Sequence, residues 1–186
     1  MRKLPIRVHY FRVLVSFTFF LSFLSCDNDF ESFVLEDPIF CDSGTVDISE
    51  AGANLIINAG NEGDCIRAEG TCTVTVTAED VILNGCMKCI DASDEAEVVL
   101  SGEFEDVRCT SIEDGIRASG DAVITLVAGD DVVISSGQGN GIVAEDASIV
   151  ELIAADKCRI EAAGNAIIES DTAQVDTSGC EELIIE

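Results

Sequence analysis

The chain has no Trp, one Tyr (Tyr10) and one His (His9), and its 10 Lys and Arg stand against 36 Asp and Glu, a formal charge of -26. Each shortage excludes something. Nucleic-acid binding needs Lys and Arg to meet phosphates. Docking of a folded surface on anionic lipid needs the same charges. The scarce residues are also crowded at one end. His9, Tyr10, five of the nine Phe, and Arg2, Lys3, Arg7 and Arg12 fall in the first 25 residues, which contain no acid. Residues 26–186 therefore carry six basic residues, a net charge of -30 and no His, Tyr or Trp. Without His there is no Ser-His-Asp triad and no histidine metal site. Without Tyr or Trp the preferred aromatic platforms for a pyranose ring are missing. The apolar share of 47% is still too high for a disordered acidic tail. One domain with a core is expected.

The apolar run from Val13 to Leu24 follows a basic stretch and is shorter than the roughly 20 residues of a transmembrane helix. It has the length of a signal-peptide core. It ends at Leu24-Ser25-Cys26, followed by Asp27-Asn28-Asp29. This resembles a bacterial lipoprotein signal, in which a small residue precedes the lipidated cysteine, although Phe23 stands where that family usually has Leu. The resemblance implies a cleaved peptide over residues 1–25, lipidation at Cys26 and a lipid anchor in the membrane. The acids after Cys26 resemble a surface-export signal of Gram-negative lipoproteins, which implies a surface-exposed place on the outer membrane. Ordinary secretion and an uncleaved anchor are the alternatives. Residues 26–44, with Phe30, Phe33, Phe40 and Pro38, are expected to form a linker and N-terminal cap.

Residues 45–186 repeat, and a period of 20–50 residues signals a solenoid. An Ile recurs two residues before a small residue at Ile66, Ile90, Ile116 and Ile142, with Ile167 closing the series. Eight residues after each stands Val74, Val98, Ile124, Val150 or Val175, and two further on Val76, Leu100, Leu126, Leu152 or Thr177. A third set reads Val81, Val107, Val132, Cys158 and Leu183, then Leu83, Cys109, Ile134, Ile160 and Ile185. Apolar residues two apart mark strands with alternate side chains inward. Three short strands in about 25 residues predict an all-β, right-handed, single-stranded parallel β-helix of about five to six coils. Gly70, Asp94, Gly120, Asp146 and Asp171 form one corner column, and Asn140 and Asn165 stand in another, residue types that tolerate left-handed dihedrals. In the last coil Glu169 replaces the inward Ala and the sequence reaches Glu186 inside a strand, an open edge that either Glu169 protects or a partner covers.

Nine Cys leave eight if Cys26 is lipidated, an even number suited to an oxidising compartment. Cys65 and Cys89 share a column in adjacent coils and are the candidate disulfide. Cys86-Met87-Lys88-Cys89 is a CxxC without His or a second CxxC, so bridging outweighs redox or metal chemistry. Cys109 and Cys158 fall in inward columns as core thiols.

Acidic residues recur before each third strand: Glu79-Asp80, Glu105-Asp106, Asp130-Asp131, then Ala155-Asp156, then Glu181-Glu182. Coils repeat at about 4.8 Å, where two like charges repel by about 0.9 kcal/mol in water and about 3.5 kcal/mol at an effective dielectric of 20. Bound Ca²⁺ would relieve this, which makes Glu79, Asp80, Glu105, Asp106, Asp130, Asp131 and Asp156 candidate metal ligands. A solvated acidic face is the alternative. A second outward column, Arg67, Asp91, Arg117, reads as a cross-strand charge ladder or as a small site where the two Arg hold the carboxylates of an acidic sugar.

Asp114-Gly115-Ile116-Arg117-Ala118 and Gly139-Asn140-Gly141-Ile142-Val143-Ala144 resemble the pectate-lyase-like, carbohydrate-binding β-helix domains of bacterial surface proteins. That resemblance covers residues 45–186 and implies a non-catalytic module for extracellular polysaccharide, helped by calcium. The alternative is a spacer or adhesin subunit that meets a protein partner, or a second copy, through its open C-terminal coil. Coil spacings of 24–26 residues leave no room for the long loops of a β-helix enzyme, so a lyase or hydrolase is the least favoured reading.

Overall fold

A computed structural model describes residues 32–50 and 52–186; the expected signal peptide and lipidation at Cys26 lie outside the described residues. Fifteen strands and no helix make up this part. They are β1 (Ser32–Leu35), β2 (Ile39–Glu50), β3 (Asn54–Asn58), β4 (Ile66–Ala78), β5 (Val81–Cys86), β6 (Ile90–Ala92), β7 (Glu97–Gly102) and β8 (Val107–Ser111). There follow β9 (Ile116–Ala118), β10 (Val123–Ala128), β11 (Val132–Ser136), β12 (Ile142–Ala144), β13 (Ile149–Ala162), β14 (Ile167–Glu169) and β15 (Gln174–Ile185). All of the strand pairings described are parallel. The chain is a parallel β-solenoid of about six turns, each of about 26 residues.

Three faces run the length of the stack. The first holds the start of β2 and β4, then β6, β9, β12 and β14, with Ile66, Ile90, Ile116, Ile142 and Ile167 in register. The second carries the rest of β2 and β4, then β7, β10 and the first halves of β13 and β15. The third carries β1, β3, β5, β8, β11 and the second halves of β13 and β15. The spacing of the apolar residues sets this register. A slip of one residue would turn each buried set outward. In the central coils the inward Ile, Val, Leu and Ala columns are 0–4% exposed. Each fully buried Leu, Ile or Val contributes about 1.5–3 kcal/mol, and only because coils above and below cover it.

The expected corner column is present. Gly70, Asp94, Gly120, Asp146 and Asp171 all have φ between 57° and 70°, the left-handed region that Gly and Asp adopt most readily. The solenoid begins earlier than expected. β1 pairs with β3, and Ile39-Phe40-Cys41 pairs with Ile66-Arg67-Ala68, so residues 32–44 build coil rather than a separate cap. This first repeat is 27 residues from the next, and a register shift between Cys41 and Ser43 widens the offset to 28 for the rest of β2.

Candidate functional site

The acidic corner resolves into two columns that differ in role. The inner column reads Asp80, Asp106, Asp131, Lys157, Glu182, each just before the in-register residues Val81, Val107, Val132, Cys158 and Leu183. Here the carboxylates serve the backbone. The amide N–H of Asp106 donates to Asp80 Oδ1 (2.9 Å), that of Asp131 to Asp106 Oδ1 (2.9 Å) and that of Lys157 to Asp131 Oδ1 (3.0 Å). Arg108 adds two donors, Nε at 2.9 Å and Nη2, to Asp106 Oδ2. Asp106 is accordingly buried. The outer column, Glu79, Glu105, Asp130 and Asp156, faces solvent more openly, linked by backbone bonds from Glu105 to Glu79, Asp130 to Glu105 and Asp156 to Asp130.

The fourth corner pair is therefore Asp156-Lys157, one residue later than the expected Ala155-Asp156, because the 26-residue offset that sets Cys158 beside Val132 also sets Asp156-Lys157 beside Asp130-Asp131. Lys157 Nζ donates to Asp156 Oδ2 (2.7 Å) and so places a cation inside the stack. Of the seven candidate metal ligands the fold gathers three: carboxylate oxygens of Asp130, Asp131 and Asp156 lie within 4.8 Å of one another. Glu79, Asp80, Glu105 and Asp106 do not join that group. Repulsion does register at Glu105, whose carboxyl is pushed above its usual range, first by the charge of Asp80 and then by desolvation and by Glu79, Asp106 and Asp130.

The other corners repeat the ladder. Asn140 donates its amide N–H to Asp114 Oδ1 (2.8 Å), Asn165 to Asn140 Oδ1 (3.0 Å) and Lys88 to Asp64 Oδ1 (3.2 Å). In the left-handed column Gly70 and Gly120 donate to Asp94 Oδ2 (3.2 Å) and Asp146 Oδ2 (3.0 Å). At the last coil Glu169 accepts the N–H of Val175 on Oε1 (2.5 Å), while Leu183 and Ile185 of β15 are exposed.

Arg67, Asp91 and Arg117 are in register on successive coils, as the ladder reading requires. Each is nevertheless paired sideways: Arg67 with Glu69 (2.5 Å), Asp91 with Lys88 (2.7 Å) and Arg117 with Glu145 (2.7 Å). With Arg108–Asp106, Lys157–Asp156 and Arg159–Glu161, all six cations among the described residues have a carboxylate partner. Phe40 extends the column by one place, and the Arg67 guanidinium carbon lies 5.9 Å from its ring centre. Pro38, Ile39, Phe40, Glu62, Gly63, Asp64, Arg67 and Met87 line a shallow depression there. Burial holds the Asp64 carboxyl above its usual range, with Asp91 adding to the effect and Lys88 opposing it. The sequence does carry a signal for this feature. Ile39-Phe40-Cys41 is the Ile-x-small motif once more, hidden by the 27-residue step and by Cys in place of Ala.

The cysteines pair differently from expectation. Cys65 is bonded to Cys86 and Cys89 to Cys109, not Cys65 to Cys89, while Cys41–Cys72 and Cys158–Cys180 complete four disulfides. Cys109 and Cys158 are thus bridged and not free core thiols. Side chains in register on parallel strands run side by side, which keeps their Cβ atoms near the strand spacing of about 4.8 Å, wider than the roughly 3.8 Å a disulfide prefers. Residues facing one another across the narrow interior converge instead, and the four Cα–Cα distances are 5.3–6.0 Å. Both cysteines of the CxxC are fully buried and separately engaged.

No family model matches the chain, and no curated protein or solved structure shows significant similarity to it.

Proposed function

We propose that the protein is a non-catalytic module of the cell exterior that holds an extracellular polysaccharide on the flank of its solenoid. The observation that carries this reading is the depression at Phe40 and Arg67, where an exposed aromatic ring stands beside carboxylates and a fixed guanidinium. It supplies the one thing the residue counts withheld, an aromatic surface next to hydrogen-bonding groups. Four disulfides support an oxidising compartment. Short corners between coils, and the lack of His after residue 25, support binding without catalysis. A lipid on Cys26 would tether the solenoid to the outer membrane. Palmitate labelling that persists in Cys26→Ser would remove that anchor from the reading.

Calcium, if it bridges protein and glycan, has the Asp130, Asp131 and Asp156 corner to work from. Lys157 competes there, so a role in ligand binding is favoured over one in folding. The test is a glycan array run with and without calcium. Binding of at least one polysaccharide is expected, and a blank array under both conditions refutes the reading. The spacer or adhesin alternative has one observation of its own, the exposed Leu183 and Ile185 on the edge strand β15. Concentration-dependent association in sedimentation, lost in Leu183→Lys, would favour it.

A further inference from the structure

We infer that the depression between the first two coils takes a neutral pyranose unit and rejects a uronic acid. The inference rests on the polysaccharide reading above and names the class of sugar. The depression has a volume of 360 Å³, near the lower end of the range of roughly 300–1,000 Å³ for small-molecule sites. That is room for a short stretch of glycan and not for an extended chain.

Charge decides the class. An acidic sugar needs a free cation, and none remains here. Arg67 donates Nε (2.7 Å) and Nη2 (2.5 Å) to Glu69 Oε1, and Lys88 is held by Asp91 at 2.7 Å with Asp64 at 3.8 Å. Glu62 and Asp64 line the depression itself. A uronate would bring a third carboxylate beside two others, one of them already desolvated. Hydroxyl groups suit the same residues. Asp64 Oδ1 is engaged by the Lys88 amide, while Oδ2 lies beyond hydrogen-bond distance of Lys88 Nζ and is left to accept. Glu62 adds acceptors at the rim, and a neutral sugar is rich in O–H donors.

The ring surface comes from Phe40, which is 59% exposed although its strand is in register with the next coil. Arg67, 5.9 Å from the ring centre, holds the ring in place through a cation–π contact. Pro38 and Met87 continue the apolar patch. The C–H face of a pyranose laid on Phe40 directs its hydroxyls to the flanking carboxylates.

The test uses the full chain on an array of neutral glucans, mannans and galactans beside polygalacturonate and alginate. The best ligand is then titrated against Phe40→Ala, with Phe104→Ala as control. Phe104 is 70% exposed and stands at the acidic corner, away from the depression. Both side chains are exposed, and melting curves check that both variants fold. A neutral glycan bound by the native chain, weakened about tenfold by Phe40→Ala and unchanged by Phe104→Ala, is expected. Binding of uronic-acid polymers alone overturns the inference and leaves the polysaccharide reading standing. Neutral binding indifferent to Phe40→Ala also overturns it, since the site then lies elsewhere. A blank array sinks both.

Discussion

Coils three to five fill one slot of the interior in two ways. In coil three the slot is closed by Cys89 and Cys109, bonded to each other. In coils four and five the same columns hold Gly115 with Ile134 and Gly141 with Ile160. The glycines are needed because a Cβ on Gly115 would lie 2.5 Å from both the Ile134 side chain and the Gly141 carbonyl oxygen. Transplanting the second solution into the first gives the double variant Cys89→Gly, Cys109→Ile. It loses the restriction that a bridge across 20 residues places on the unfolded chain, about 3.3 kcal/mol. The new glycine costs about 0.5–1 kcal/mol. Isoleucine in a column already lined by Leu83 and Ile134 recovers part of this through apolar burial. The expected net loss is about 3 kcal/mol. Cys89→Ser, Cys109→Ser loses the same bridge and also buries two hydroxyls at about 1–3 kcal/mol each, so roughly 5 kcal/mol or more is expected. Urea unfolding followed by circular dichroism separates the two variants. If the Gly–Ile variant proves as unstable as the Ser–Ser variant, the two slots are not equivalent and the reasoning fails.

Three further outcomes follow from the same geometry. Gly115→Ala is expected to cost about 3 kcal/mol through overpacking, whereas Gly63→Ala, with nothing within 4 Å, should stay within about 0.5 kcal/mol in the same urea assay. Asp106→Ala strands the Asp131 amide and should cost about 1–3 kcal/mol, while Asp106→Asn keeps an acceptor and should cost clearly less; equal losses would mean the carboxylate charge matters and the ladder does not. Asp64, through burial, and Glu105, through Asp80 above all, both have carboxyl pKa values raised in the fold. Such groups stabilise fully below their unfolded values near 3.8 and 4.5, and that stability is lost as pH rises through the folded values. Melting temperature should therefore rise as pH is lowered from neutrality towards those unfolded values, and a steady fall over that approach would contradict the assignment.

The columns were legible because burial repeats. Ile66, Ile90, Ile116, Ile142 and Ile167 sit in the register that their spacing predicts, and of their companions Thr177 alone falls in a register shift. The left-handed corner was legible for a similar reason, since few residue types other than Gly, Asp and Asn tolerate that backbone. The disulfides were not. Spacing along the chain puts Cys65 above Cys89, but a bridge forms across the interior, and the distance across depends on side-chain size in both columns. Reading Gly115 against Ile134 as a small–large pair, and Cys89 against Cys109 as its replacement, would have supplied the pairing. The Phe40 depression was obscured by the 27-residue step from Ile39 to Ile66 and by Cys41 in the place of Ala. The Asp156 offset had a different origin: the 26-residue offset holds on both sides of this corner, and Lys157 stands where Asp131 stands in the coil before.

The acidic excess then divides into two parts with separate causes. At the corners the neighbouring coil does not supply a backbone acceptor to every amide, and a short side chain with an oxygen fills the gap. Asp80, Asp106 and Asp131 do this in one column, and Asn140 does it in another without any charge. Hydrogen bonding therefore explains the short acceptor at these places but not its ionisation. The outer column, Glu79, Glu105, Asp130 and Asp156, carries charge without that structural task, and Glu105 shows the cost in its raised pKa. What remains after the six cations are matched is a flank that repels anions along its length. Any ligand of that flank must bring hydroxyls, cations or apolar surface, which is the ground on which neutral sugars are separated from acidic ones.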